Sequence, residues 1–269
     1  MPVSIEFRLV ASKSGFIAPF TGGYVRGWFL TSIKQRSVEL FKYLHEKRGM
    51  RPYAVKPLRP IGKKMRVLNR GWRIEEGDKL TFGVSILKES IEDVIFEILV
   101  NAENFSFSSI VCELDQIIAK KRSYSELLSR TYGARIGLSF RTPTLFDIKG
   151  REFAYLFPDP IRIVGNLLNI WNKFAPTEYT LPTDSIIDWA SRAIKTKSFK
   201  LETREVVIEN NAKITGFKGR VEWVILEKER EGITYLSPLL SLAEFSNIGS
   251  KRTYGLGVVT ITDLTKKHE

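Results

Sequence analysis

Residues 245–261 read "FSNIGSKRTYGLGVVTI". Upstream, "SPLLSLAEFSNIG" (237–249) has the composition of a short helix, with Ser237 as its expected N-cap, Pro238 in its first turn and Gly249 just past its end. Downstream, "GVVTITDL" (257–264) is β-branched and reads as a strand. The stretch is therefore a helix-to-strand connection in which Gly249, Gly255 and Gly257 enclose Ser250, Lys251, Arg252, Thr253 and Tyr254. That order excludes a dinucleotide fingerprint, which follows a strand and opens a helix, and the P-loop consensus is missing. What remains is a loop whose glycines permit positive φ and close backbone approach, leaving Lys251, Arg252 and several N–H groups to meet phosphates. A plain helix C-cap followed by an edge-strand glycine would share the pattern; the two cations and the tyrosine at the tip favour binding.

Working outward, the elements preceding the loop set the fold class. "VSIEFRLV" (3–10) alternates as a half-buried strand does. From Tyr24 to Leu44 apolar residues recur at helical spacing until Gly49. Strands are expected at 52–59, 64–74 and 79–87, a helix at 89–102 and an extended segment in "SFSSIVCELDQIIA" (106–119). Strand, helix, strands, helix, strand is the order of a ferredoxin-like βαββαβ unit. A similar order begins near Tyr132: an alternating strand broken by Pro143, two helices (159–174 and 184–194), two strands (198–209 and 213–227), the helix before the glycine loop and the final strand. The expectation is an α+β chain of two tandem ferredoxin-like units, residues 1–125 and 126–269, joined around 121–133.

Composition agrees with that plan. A chain of 269 residues is long for one compact domain and comfortable for two. A hydrophobic fraction of 43% with 12% aromatics excludes disordered and collagenous classes. No apolar run reaches the roughly 18 residues of a membrane span, and "MPVSIEFRLVASKSG" lacks a signal peptide's apolar block, so no membrane and a cytoplasmic location are expected. The single cysteine, Cys112, has no partner for a disulfide or a zinc site and reads as a core residue.

The net charge of +12 is concentrated. Residues 34–73 hold thirteen Lys and Arg against Glu39 and Glu46, a net of +11, while the rest of the chain is nearly neutral. Such a block suits a polyanion. An anionic membrane surface fits less well, because "RPYAVKPLRPIG" (51–62) is broken by prolines and cannot form a continuous amphipathic helix.

At this point "NIGSKRTYGLGVV" (247–259) resembles the C-terminal glycine-rich loop of the Cas6 family, endoribonucleases that cut CRISPR precursor transcripts into guide RNAs. "LSFRTPTLF" (138–146), "FKGRVEWVI" (217–225) and "SPLLSLAEFSNIG" stand in that family's order and spacing, and "FKYLHEKRG" (41–49) resembles the end of its first helix. The resemblance is strongest from residue 134 onwards. It implies a tandem of two ferredoxin-like, RRM-related units and a substrate of CRISPR repeat RNA held between them. Other subunits of the same RAMP superfamily bind RNA without cutting it, so a non-catalytic RNA-binding subunit of an interference complex is the alternative.

Metal-free RNA cleavage needs a base for the 2′-OH, an acid for the leaving 5′-oxygen and positive charge around the phosphorane. Of two histidines, His268 lies in the charged tail and His45 stands where the first helical run ends, beside the basic block. An imidazole exchanges protons near neutral pH. His45 matches the histidine of the family's "YLHE" segment, and the resemblance gives it the proton-transfer role. The chain departs from the family's trio at two places: the tyrosine position reads Leu30 and the lysine position reads Arg51. Tyr24 and Tyr43 are the candidate substitutes for the phenol. Arg51 stabilises negative charge but a guanidinium does not give up its proton, which leaves Lys47 as the nearest lysine. Glu75, Glu76 and Asp78 read as a hairpin turn, and no metal-binding spacing stands near His45. Phe7, Trp72 and Phe140 read as packing, since the RNP signature is missing. The expected RNA-holding residues are Gly249, Ser250, Lys251, Arg252 and Gly255 of the loop, with Lys56, Arg59, Lys63 and Lys64 of the basic segment. No cofactor is expected; the partners are repeat RNA and an interference complex that receives the guide RNA, and the chain is expected as a monomer or homodimer.

Overall fold

The computed structural model describes residues 1–46, 49–62, 67–68 and 71–265. In chain order the first part contains β1 (Val3–Ala11), β2 (Gly15–Ile17), α1 (Gly22–Arg36), α2 (Val38–Glu46), β3 (Tyr53–Pro60), β4 (Val67–Leu68), β5 (Gly71–Ile74), β6 (Lys79–Ile86), α3 (Glu89–Val100), β7 (Phe105–Phe107) and β8 (Ile110–Lys121). The second contains α4 (Tyr124–Ser129), β9 (Arg135–Thr144), β10 (Phe146–Asp147), β11 (Ala154–Tyr155), α5 (Pro160–Phe174), α6 (Thr183–Ala193), β12 (Ile194–Val207), β13 (Lys213–Ile225), α7 (Ile233–Ser246) and β14 (Val259–Asp263).

Both main sheets have the same antiparallel order. The first runs β3-β6-β1-β8 with β7 on its edge, and the second runs β12-β13-β9-β14. Numbering the four principal strands of each unit in sequence gives 2-3-1-4 twice, the ferredoxin-like arrangement, so the fold is α+β with two tandem units of that type. Alternation explains which face each strand buries: Val3, Ile5, Phe7, Leu9 and Ala11 of β1 all point to the core, where Phe7 stacks on Phe82 at 4.8 Å and meets the edge of Trp28 at 5.2 Å. A second core collects Ile136, Leu138 and Phe140 of β9, Trp223 of β13 and the apolar stripes of α5 and α7. Phe7 and Phe140 are fully packed, as expected. Cys112 lies in the first core.

Two boundaries differ from the sequence expectation. The helical run from Tyr24 to Leu44 is two helices, because Ser37 is extended (φ −152°, ψ 106°) and its hydroxyl accepts the N–H of Leu40, starting a new helix. The last helix begins at Ile233, so Ser237 and Pro238 lie inside it. The Ser237 hydroxyl instead accepts the N–H of Tyr132, a buried tertiary bond that outranks a local cap. Among the described residues no helix is long and apolar enough to cross a membrane.

A candidate active site where the first helix pair meets the glycine loop

His45 occupies the last turn of α2, exposed, with its ring stacked on Phe41 one turn earlier (5.1 Å, 12° between planes). Lys34 places its ammonium 5.4 Å from the Phe41 ring centre. The helix end is fastened from the segment just before β3: Arg51 Nε donates to the carbonyl of Leu44 at 3.0 Å and its Nη2 to that of His45 at 2.6 Å. A cation on the last carbonyls satisfies orphan acceptors and complements the helix dipole. The expectation for Arg51 is thus modified, since two arms of its fork hold backbone and position residue 45.

Arg51 in turn leads to the glycine loop. Its carbonyl accepts a long bond from Arg252 Nη2 (3.4 Å), while Arg252 Nη1 donates to the carbonyl of Ser246 at 2.9 Å. The Arg252 side chain is buried, and burial alone pushes its pKa down to about 10. The Arg252 guanidinium, expected from the sequence to meet RNA, is here an internal strut between the loop, the end of α7 and Arg51. His45 and the loop consequently stand on connected backbone, joined through two arginines.

The loop is a tight structure of left-handed residues. Gly255 (φ 78°) packs so closely on β3 that a Cβ would lie 2.7 Å from Pro57 Cγ, and a Cβ on Gly257 (φ 74°) would run into the carbonyl of Ile248. Its N–H groups are largely committed inside the protein. Gly249 donates to Asn166 Oδ1 (2.8 Å), Ser250 to the carbonyl of Leu145 (2.8 Å), Gly255 to that of Arg252 (3.1 Å) and Gly257 to that of Pro143 (3.0 Å). The Ser250 hydroxyl accepts the N–H of Asp147. So the N–H groups of Gly249, Ser250 and Gly255 are not open to phosphates; these residues shape the loop. Lys251, itself left-handed (φ 56°), keeps a partly exposed ammonium, 3.9 Å from the Asp147 carboxylate.

The basic segment enters from β3. Lys56 lies in a groove of about 200 Å³ lined by Ser4, Lys120, Glu244, Phe245 and Thr260, where its ammonium donates to the Ser4 hydroxyl at 3.4 Å. Burial pulls its pKa below the ordinary lysine value, with Glu6 and Glu244 opposing. Arg59 is exposed on the same strand. Lys47, Lys63, Lys64 and His268 lie outside the described residues.

The phenols sort themselves by environment. Leu30, at the family's tyrosine position, is buried. Tyr24 is exposed, and the Tyr43 hydroxyl accepts from Lys88 Nζ at 3.2 Å. Sequence reading missed Tyr53, fully buried at the start of β3. Burial raises its pKa, and Arg26 and Arg51 are the largest opposing influences. It also missed Arg26, buried on α1, which pairs with Glu209 from the turn between β12 and β13 at 2.6 Å. Arg26 falls on the apolar stripe of Phe29 and Ile33, a signal available in the sequence; Glu209, in "IENNAK" (208–213), carries none. Among the described residues no three His, Cys, Asp or Glu side chains gather into a cation site.

Comparison with known proteins finds the same fold. The model of the family "CRISPR-associated endoribonuclease Cas6" matches residues 138–259, the span from β9 to the first residue of β14. A curated CRISPR-associated endoribonuclease Cas6 of Streptococcus thermophilus is 21% identical over 239 residues, covering 86% of this chain and 88% of that protein. Among solved structures, a Cas6 (TTHB231) product complex superposes with a TM-score of 0.77 at 22% identity, covering 97% of this chain and 100% of the other. Thermus thermophilus Cas6 (TTHB231) gives 0.71 at 22% identity over 97% and 98%. The structural likenesses establish the shared fold. With a family match confined to the second unit and a relative aligned along most of both chains, the protein is similar to the CRISPR-associated endoribonucleases of the Cas6 family.

Proposed function

We propose that this protein is an endoribonuclease that binds CRISPR repeat RNA and cuts precursor transcripts into guide RNAs. The observation that carries the reading is the exposed imidazole of His45 on a helix end clamped by Arg51, which Arg252 ties to the glycine loop. Cleavage follows attack of a ribose 2′-OH on the adjacent phosphate, leaving a 2′,3′-cyclic phosphate and a 5′-OH, without a metal. His45 transfers the proton, a service worth about 10²–10⁴ in rate. Arg51 holds residue 45 in place, and Lys47, two residues further along, supplies positive charge to the phosphorane. Lys251 holds the strand from a loop given its shape by Gly249, Ser250, Gly255 and Arg252, and Lys56, Arg59, Lys63 and Lys64 of the basic segment hold it from the first unit.

The test is repeat RNA with a single 2′-deoxyribose at the scissile nucleotide, in EDTA. The expected result is binding equal to the all-ribose RNA, cutting of the ribose form only, and a cyclic phosphate on the 5′ product. Cutting of the deoxy form, or cutting abolished by EDTA and restored by magnesium, would overturn it. One observation favours a binding-only subunit: Leu30 is buried where the family has tyrosine, and Arg51 cannot replace a lysine as acid. That subunit would bind both RNAs and cut neither.

A further inference from the structure

The turn between β12 and β13 reaches across from the second unit to the first. Its Glu209 carboxylate is held by two groups at once: Arg26 Nη1 at 2.6 Å through one oxygen, and the Tyr254 hydroxyl at 2.7 Å through the other. Arg26 also lies over the Tyr254 ring, 4.6 Å from its centre. Arg26 is nearly fully buried whereas the Glu209 side chain is 42% exposed, so the cation belongs to the wall and the carboxylate enters from solvent. Two buried polar atoms beside it, Arg26 Nε and the Tyr53 hydroxyl, have no well-formed hydrogen bond among the described residues, although the Tyr53 hydroxyl faces the Arg26 guanidinium and is influenced by it. An arginine fork that spends one Nη on a carboxylate and leaves Nε unpaired is half used, and a buried donor without a partner is costly. The Arg51 guanidinium, which donates to the carbonyl of His45, adds positive potential at Tyr53.

We propose that Arg26, Tyr254 and Tyr53 form a seat for one phosphodiester of the bound RNA, and that Glu209 occupies this seat in the free protein as a carboxylate stand-in. A phosphate offers two non-bridging oxygens in place of the carboxylate's two, with geometry that lets Nε and Nη be engaged together. Binding at the seat expels Glu209 and frees the β12–β13 turn from α1, which couples RNA entry to movement of the hairpin. The inference rests on the RNA-binding reading above.

The test is fluorescence anisotropy with the 2′-deoxy repeat RNA on the full chain, across a potassium chloride series. Glu209→Gln removes the charge and keeps the shape. It is expected to bind about tenfold tighter than the parent at low salt. Its slope of log affinity against log salt should stay close to the parent's, because the parent seats the same phosphate once Glu209 is expelled. Adding Tyr254→Phe to Glu209→Gln removes one hydroxyl from the seat without emptying the core and should cancel most of the gain. Unchanged or weaker binding by Glu209→Gln, with a parental slope that is steep, would make Glu209 a structural latch and overturn the seat alone. A shallow parental slope would instead sink the RNA-binding reading, and the seat with it. Thermal melting of each variant shows that the fold is intact.

Discussion

Arg252 and Arg51 are 201 positions apart in the chain, yet a guanidinium of the first donates to the carbonyl of the second. Because Arg51 also holds the carbonyl of His45, the glycine loop of the second unit and the proton-transfer candidate of the first form one connected piece of backbone. Removing the Arg252 guanidinium leaves the carbonyls of Ser246 and Arg51 without that donor, in buried surroundings. Arg252→Ala is therefore expected to lose about 1–3 kcal/mol of stability in urea unfolding, with RNA affinity falling in step. Affinity lost with stability unchanged would mean that the side chain meets RNA directly.

Gly257 is the loop position least able to change. At φ 74° it faces the carbonyl of Ile248, whose own N–H donates back to the Gly257 carbonyl at 2.8 Å. A methyl group there combines left-handed strain with a backbone collision, so Gly257→Ala should cost about 3 kcal/mol or more and be detectable as a fall in melting temperature. A melting curve equal to the parent's would show that the loop is looser than its hydrogen bonds require.

Lys56 carries a charge in a place that disfavours it. Its folded-state pKa is lowered by burial, so in the alkaline window between that value and lysine's ordinary one the unfolded chain binds more protons than the folded chain. Stability should accordingly rise with pH through that window, and Lys56→Met should abolish the rise while raising the melting temperature at neutral pH by roughly 2 °C. The same substitution is expected to weaken RNA binding and to reduce the salt slope by about 0.7. A variant that is more stable and binds RNA as before would remove Lys56 from the interface.

Much of the fold can be read from residue order, and the reasons for the exceptions are physical. The alternation in β1 and the β-branched run of β14 name their own faces, and both units follow the expected strand order into the same sheet arrangement. The break at Ser37 was masked because the apolar spacing continues in phase across it, and only the serine hydroxyl's choice of the Leu40 N–H ends α1. Ser237 looked like a cap because its tertiary partner, the Tyr132 N–H, is 105 positions away. In the site, His45 and the glycine loop carry local signals, whereas the pairing of Arg26 with Glu209 spans 183 positions and leaves no periodic trace. The direction in which Arg252 points could not be read either, since its burial is decided by β3 and α7 together.

Cys112 offers a simple check on packing in the first core. It is 5% exposed on β8, and burial pushes its thiol up to about 11. A thiol-disulfide reagent at pH 8 should leave the folded protein unmodified for as long as it stays folded and react promptly in urea. Rapid labelling of the native protein would show that the β8 edge opens.

In the proposed reaction the His45 imidazole moves the proton. The most direct measurement of that step is the single-turnover cleavage rate of His45→Ala on repeat RNA, taken beside the affinity of the same variant. The predicted result is a rate lower by about 10²–10⁴ with affinity and melting temperature close to the parent's. Cleavage at the parental rate would contradict the account, and so would a loss of rate explained entirely by lost binding.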